Sequence, residues 1–370
     1  MSNTKTVMSQ AANTQGIPLD ITDVFSTYVF EGNGSTQTIT NGIDLAGEGG
    51  MVWGKSRGNS VSHEIYDTER GVDKQLKPDS TDLEVVRATG TGGVYAFNSD
   101  GFSTNAVNSF FNYSGDPSVS WTFRKAPKFF DVVTYTGDGV TGRSVSHNLG
   151  SVPGVIIVKN ISTGNRAWQV YHRSLGITKR LELDSTGAAG TSTHWTYEPT
   201  DTEFTVRNLG VLNASGDTYV AYLFAHNDGD GGFGPSGDQD IIKCGSFSVN
   251  GSYEADVDIG FEPQWVLIKP AQDSGSWLLF DTMRGAVVNG DATWLAPDLS
   301  QQEAFTANRF WPTATGFHIG NYGIPAGNDI IYIAIRRGPL AKPKSATEVF
   351  DVDGSTRSSD GSSPRHRADF

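Results

Sequence analysis

The chain predicts an all-β fold of three tandem homologous β-sandwich domains with extended N- and C-terminal arms, and three observations carry that prediction. One pattern occurs three times, running from Leu45 to Lys55, Leu149 to Lys159 and Ile259 to Lys269, with ten residues from the aliphatic to the lysine each time. Glycine (44 residues) and aromatics (20 Phe, 12 Tyr, 8 Trp) dominate, which suits tight turns and pleated faces. No window shows sustained helical periodicity with capping residues. The three lysines lie 104 and 110 residues apart, close to the roughly 100 residues of one β-sandwich. A period this long means repeated domains around no single catalytic core.

In chain order, residues 1–24 form a polar arm, followed by repeats at 25–127 and 128–228, a Gly/Asp-rich linker at 229–239, a third repeat at 240–340 and a polar arm at 341–370. Each repeat opens on an aromatic and a glycine-rich turn: Phe30 to Gly34, Tyr135 to Gly139, Phe247 to Gly251. Val155–Val158 and Trp265–Ile268 are apolar on both faces, as a central sandwich strand requires. Trp168–Tyr171, Thr218–Phe224, Ser276–Phe280 and Asp329–Ile335 read as further strands. Late aromatics at Phe102, Phe204 and Phe317 keep register. So do Gly115, Gly216 and Gly327, each eight residues before a strand end. Val52, Ile156 and Val266 are expected on equivalent strands.

Composition narrows the function classes. A formal charge of −13 disfavours a nucleic-acid partner, which demands a basic surface. The single Cys244 makes no intramolecular disulfide and reads as a small buried hydrophobe. The first twenty residues lack the apolar core of a secretory signal. The apolar run Ile330–Ile335 is far short of the roughly 20 residues that cross a bilayer. A soluble product of a cytoplasm, without membrane insertion, is expected. The two arms cannot bury enough apolar surface to order themselves, so they are expected to lie against neighbouring subunits in a homo-oligomer.

Candidate chemistry is sparse. Lys55, Asp67 and Arg70 recur as Lys269, Asp281 and Arg284, whereas the second repeat places Tyr171 and Ser174 at the Asp and Arg positions. A charge cluster kept twice and lost once reads as structural, with Lys55–Asp67 and Lys269–Asp281 as supporting ion pairs of surface strength, about 0–1 kcal/mol. The linker acids Asp228, Asp230, Asp238 and Asp240 faintly resemble a calcium loop but lack its terminal glutamate, so a flexible linker without metal is expected. The histidines show no ligand spacing, and hydrolase elbows and phosphate loops are absent. Neither catalytic residues nor cofactors are expected. Trp168, Trp195, Trp294, Trp311, Tyr197 and Tyr322 lie in or near polar loop segments and are candidates for stacking on a carbohydrate, against the alternative of core packing.

Several long motifs in fixed order are shared with a known family. They are Ser120 to Pro127, Phe129 to Gly137, His147 to Lys159, Tyr219 to His226, Gly260 to Trp265 and Asp281 to Gly285. Over about residues 24–340 the chain resembles a repeat family from tailed phages of marine bacteria and cyanobacteria. The resemblance implies a non-enzymatic virion structural protein, a tail adaptor, fibre or appendage acting in assembly and host attachment. The alternatives are a capsid decoration or head-fibre protein, and a polysaccharide-degrading tailspike. Other virion proteins and a host surface glycan are the partners implied.

Overall fold

The computed structural model describes residues 18–88, 93–105, 110–287, 292–306, 309–320 and 325–340. The first module contains β1 (Phe25–Glu31), β2 (Gln37–Thr40), β3 (Gly50–Ser56), β4 (Glu64–Asp67), β5 (Lys74–Gln75), β6 (Val85–Val86), β7 (Val94–Asn98), β8 (Gly101–Thr104) and β9 (Pro117–Arg124). The second runs through β10 (Phe130–Thr136), β11 (Arg143–Ser146), β12 (Pro153–Asn160), β13 (Gln169–His172), β14 (Lys179–Glu182), β15 (Gly190–Thr191), β16 (Glu203–Val206) and β17 (Thr218–Ala225). The third holds β18 (Ile242–Ser248), β19 (Ala255–Asp258), β20 (Pro263–Pro270), β21 (Leu278–Asp281), β22 (Ala292–Trp294), β23 (Ala304–Thr306), β24 (Phe310–Thr313), β25 (Gly316–Ile319) and β26 (Asp329–Arg336). Among the described residues, helix is confined to single turns, Ile21–Val24, Leu45–Glu48 and the 3-10 turn Thr282–Arg284.

The main antiparallel sheet has the same strand order in each module: β1-β9-β3-β4, β10-β17-β12-β13 and β18-β26-β20-β21, the second extended by β14 and β15. Val52, Ile156 and Val266 occupy matching positions, opposite Tyr66, Tyr171 and Phe280. A smaller sheet accompanies each: β2-β8-β7, β11-β16 and β19-β25-β24. The closing glycines adopt the same left-handed conformation, with φ of 74° at Gly115, 84° at Gly216 and 85° at Gly327. Their N–H groups return to Gly32, Gly137 and Val249 at 2.8, 2.9 and 3.1 Å. A β-carbon at positive φ is strained, which explains the residue type.

Alternation along the central strands explains why they are apolar on both faces. Met51 and Trp53 of β3 join Trp265 and Leu267 of β20 in one large core, while Val52 and Val266 face the local small sheets. That large core draws on all three modules through Phe25, Phe123, Phe130, Phe224 and Trp265. Phe123 lies 5.6 Å from Phe224 and 5.8 Å from Trp265, ring centre to ring centre. The main sheets therefore share their inner faces, and the described chain up to Leu340 is one compact unit. The three modules thus pack on one shared core, beside local clusters under the small sheets of the first and third modules.

The expected linker is also folded. Phe233 is buried and bridges to Gln239, and Asn227 accepts from the Ile241 and Ile242 N–H groups while donating to the Lys128 carbonyl. Ile21 and Val24, assigned above to the N-terminal arm, belong to the shared core. Residues 1–17 and 341–370 of the two arms lie outside the described residues.

Candidate functional site: the module junctions

The repeated polar residues converge where one module meets the next, and equivalent contacts run round a closed ring of three. In the first set, a backbone N–H beyond each main sheet donates to a carbonyl at the end of the next module's central strand. Glu84 donates to Ile161 (3.3 Å), Ala189 to Ala271 (2.7 Å) and Glu303 to Arg57 (2.9 Å). The third returns to the first module, so the ring closes.

A second set places an aromatic ring of each module on a carbonyl of the previous one. The Trp168 indole N–H donates to Lys77 at 3.0 Å, and that of Trp277 to Glu182 at 3.0 Å. His63 holds the corresponding position in the first module and faces the Ala296 carbonyl. Its Nδ1 accepts from the Trp53 indole N–H at 3.0 Å, which fixes a neutral imidazole with the proton on Nε2. Burial first, then Lys55 and Arg284, hold its pKa well below the ordinary value.

The third set involves the end of each fourth strand. Asp67 accepts from the Tyr222 hydroxyl of the second module at 2.7 Å, and Asp281 accepts from the Trp121 indole of the first at 2.9 Å. Between the second and third modules, His172 Nε2 meets the Tyr332 carbonyl at 3.1 Å. Strand register identifies His172, opposite Val155, as the equivalent of Asp67 opposite Met51 and Asp281 opposite Trp265. The expectation that Tyr171 and Ser174 hold the Asp and Arg positions is corrected. The second module carries one extra residue between Lys159 and its fourth strand, so the equivalents are His172 and Leu175.

The Asp–Arg pairs are present but buried and larger than expected. Asp67 takes the Arg70 N–H and Nε at 2.8 and 2.5 Å, and Asp281 takes those of Arg284 at 2.9 and 2.6 Å. Each guanidinium continues to a glutamate, Glu84 or Glu303, at 2.9 Å. Glu303 also receives Arg57 through Nε and Nη2, and although burial opposes ionisation, the two arginines hold its pKa below the usual value. In the second module all three positions change together, to His172, Leu175 and Ala189. Spacing hid the glutamates, because the loop after the fourth strand is five residues longer in the third module than in the first.

The lysines are not part of these pairs. Lys55 sits four residues along β3 from Met51, the residue facing Asp67, or about 13 Å of strand. Its ammonium binds the Ser56 and Asn59 carbonyls at 2.7 and 3.1 Å. Lys159 binds Arg166 at 2.5 Å, and Lys269 binds Gly275 and, in the second module, Thr186 at 3.0 Å. Burial lowers the pKa of all three to about 8, against the pull of Asp79, Asp184 and Asp298. Burial raises those acids in turn, Asp184 and Asp298 to about 6. The arrangement is a set of enclosed fasteners. Its chemistry is to hold modules together.

The surface candidates divide sharply. Trp168 and Trp195 are buried, and Trp294 is half-buried against the third module's local core. Trp311 is partly exposed, Tyr197 is 66% exposed, and Tyr322 lies outside the described residues. Of the linker acids, Asp240 accepts from the Gly229 and Gly231 N–H groups at 2.8 and 3.1 Å and pairs with Lys243 at 3.1 Å. Lys243 also meets Asp228 at 3.4 Å, and the Asp230 carboxylate accepts from the Asp228 N–H at 3.0 Å. Among the described residues no group of three or more acidic, His or Cys side chains is placed to hold a metal, and no helix is long and apolar enough to cross a membrane. Cys244 is buried, its thiol donating to the Ala225 carbonyl at 3.3 Å.

The family model described as Domain of unknown function (DUF7483) matches residues 20–339. That span runs from the cap of the first helical turn to the residue before Leu340, so it takes in all three modules. No curated protein matches the chain.

Proposed function

From the premise that the chain belongs to the DUF7483 family, we propose that it is a non-enzymatic structural protein of a phage virion, a tail adaptor, fibre or appendage acting in assembly and host attachment. The observation that carries this reading is the use made of the repeated polar residues. The pairs Asp67–Arg70 and Asp281–Arg284, together with His172, join one module to another inside the body. A body braced in this way suits a building block. The motifs shared with repeat proteins of marine tailed phages supply the virion context.

The ends of the described body lie side by side. The Asp20 carboxylate accepts from the Leu340 N–H at 2.9 Å and also caps the helical turn that follows it. The two boundaries of the described body therefore meet, which favours docking on other virion proteins, or on further copies of this chain, at that place. The test is antibody labelling of purified particles in electron micrographs, with copy number from quantitative mass spectrometry. Label at one substructure with a fixed copy number is expected. Absence from purified particles would overturn the reading. Removing residues 1–17, while keeping Ile21 and Val24 in the core, should leave a folded body that no longer incorporates. A reducing-end assay on host surface polysaccharide should show no turnover; turnover abolished by one Asp or Glu substitution would instead make the protein a tailspike.

A further inference from the structure

We propose that the outward face of the third module's small sheet binds a sugar ring, with Trp311, His318 and Asp256 as the contact row. The inference rests on the host-attachment reading above and names the ligand class for it. The three modules act as controls for one another, because what the fold requires recurs at equivalent positions. Phe102, Phe204 and Phe317 recur on the inner side of the small sheets, opposite Ile39, Val145 and Val257. One residue along, on the outer side, the first module pairs Thr38 with Ser103, and the second pairs Ser144 with Thr205. The third pairs Asp256 with His318 and adds Trp311 from the neighbouring strand. The sheet forms without these groups twice, so folding does not explain them.

Their geometry suits a saccharide. The Trp311 indole stacks on the His318 ring at 3.9 Å and 9°. Trp311 belongs to β24, the edge strand of the β19-β25-β24 sheet among the described residues, and is partly exposed, which offers ring surface to the C–H face of a pyranose. His318 Nδ1 lies 2.7 Å from Asp256, whose side chain is 87% exposed. The His318 side chain is 13% exposed, so the exposed Asp256 carboxylate is the group that accepts from a ligand here. Sugar hydroxyls supply the donors. Asp256 and Asp258 of β19 and Glu254 just before it are all exposed, which repels anionic sugars and selects a neutral or amino sugar.

The test is saturation-transfer NMR on the full chain with methyl glycosides of glucose, mannose, galactose, N-acetylglucosamine, glucosamine and glucuronic acid. At least one neutral or amino glycoside should receive saturation, and the glucuronide should not. Trp311→Ala should raise Kd at least tenfold. Asp256→Asn, a change at an exposed side chain that leaves the core untouched, should raise it at least threefold, and Tyr197→Ala in the second module should leave it unchanged. Silence across the panel, equal binding of the glucuronide, or full binding by both Trp311→Ala and Asp256→Asn overturns the proposal. Particles that carry the protein while the panel stays silent would remove this inference and leave the virion reading standing. Binding by a protein absent from particles would do the reverse.

Discussion

Trp121 gives its indole N–H to Asp281 at 2.9 Å and its ring face to Arg284 at 5.4 Å, so one side chain of the first module completes the ion pair of the third. These residues lie 160 positions apart, and their contact closes a ring that the chain order leaves open. Closure makes each module's stability depend on the other two.

Trp121→Phe keeps the ring face and removes the donor. It is expected to cost about 1–3 kcal/mol, since a buried carboxylate loses one of its partners. Urea unfolding should remain a single transition for wild type and variant alike. Hydrogen exchange should speed up around Asp281 as well as around Trp121. Two resolved transitions, or protection lost only in the first module, would show that the modules fold independently.

His172→Asp restores the residue that the other two modules carry, yet it should destabilise. At Nε2 its neighbour is the Tyr332 carbonyl rather than a donor, the Ser174 N–H reaches only Nδ1 at 3.2 Å, and Leu175 stands where an arginine would compensate. A buried unpaired carboxylate costs about 3–5 kcal/mol. A neutral or positive change in the urea midpoint would contradict this account of the junction.

Wild-type His172 also sets an acid limit. Burial lowers its folded pKa to about 4 from 6.5, so below pH 6.5 the unfolded chain binds a proton that the folded chain refuses. Its contribution is present above that pH and is lost progressively between pH 6.5 and 4. His172→Gln should flatten the slope of stability against pH across that window, and an unchanged slope would remove His172 as its source.

Glu64 acts in the opposite sense. It is enclosed with Gln75, the Tyr66 hydroxyl and the Phe110 N–H, and burial raises its pKa to about 8 from 4.5. The folded state keeps this proton while the unfolded state releases it, so stability falls as pH rises from 4.5 to 8. Glu64→Gln, the residue that the second module already has as Gln169, should add about 2–4 kcal/mol at pH 8 and far less at pH 5. Equal effects at the two pH values would mean that Glu64 is not protonated in the folded protein.

Gly216 has open space where a β-carbon would go and a φ of 84°. Gly216→Ala should therefore cost about 1–2 kcal/mol from backbone strain alone, and Gly216→Asn should recover part of that loss. A midpoint unchanged by alanine would show that the turn relaxes.

Much of the fold was legible because a strand's register and a turn's glycine are local properties. The matched positions of Val52, Ile156 and Val266 and the left-handed Gly115, Gly216 and Gly327 follow from spacing alone. What spacing conceals is which module an inner face meets. Residues apolar on both sides, as in β12 and β20, fit a private core and a shared one equally well. A single extra residue between Lys159 and β13 moved the junction position from Tyr171 to His172, and nothing in the composition of that turn marks it. The lysines misled for a related reason: a constant count of residues to Asp67 or Asp281 measures chain length, whereas contact depends on which end of the strand each occupies. Trp168 and Trp195 lie beside polar loops in the sequence yet are buried, Trp168 with its indole on the first module's Lys77 carbonyl and Trp195 against Tyr171 and Phe204.

The hydrogen bond between Asp20 and Leu340 has a topological consequence. A ring of three like sectors whose boundary residues Asp20 and Leu340 touch is a candidate for circular permutation: the bond marks where a short bridge would join them, and the folded loop between Asn227 and Ile241 offers a new opening. The order in which the sectors are translated would then become a free variable, separable from the shape they make.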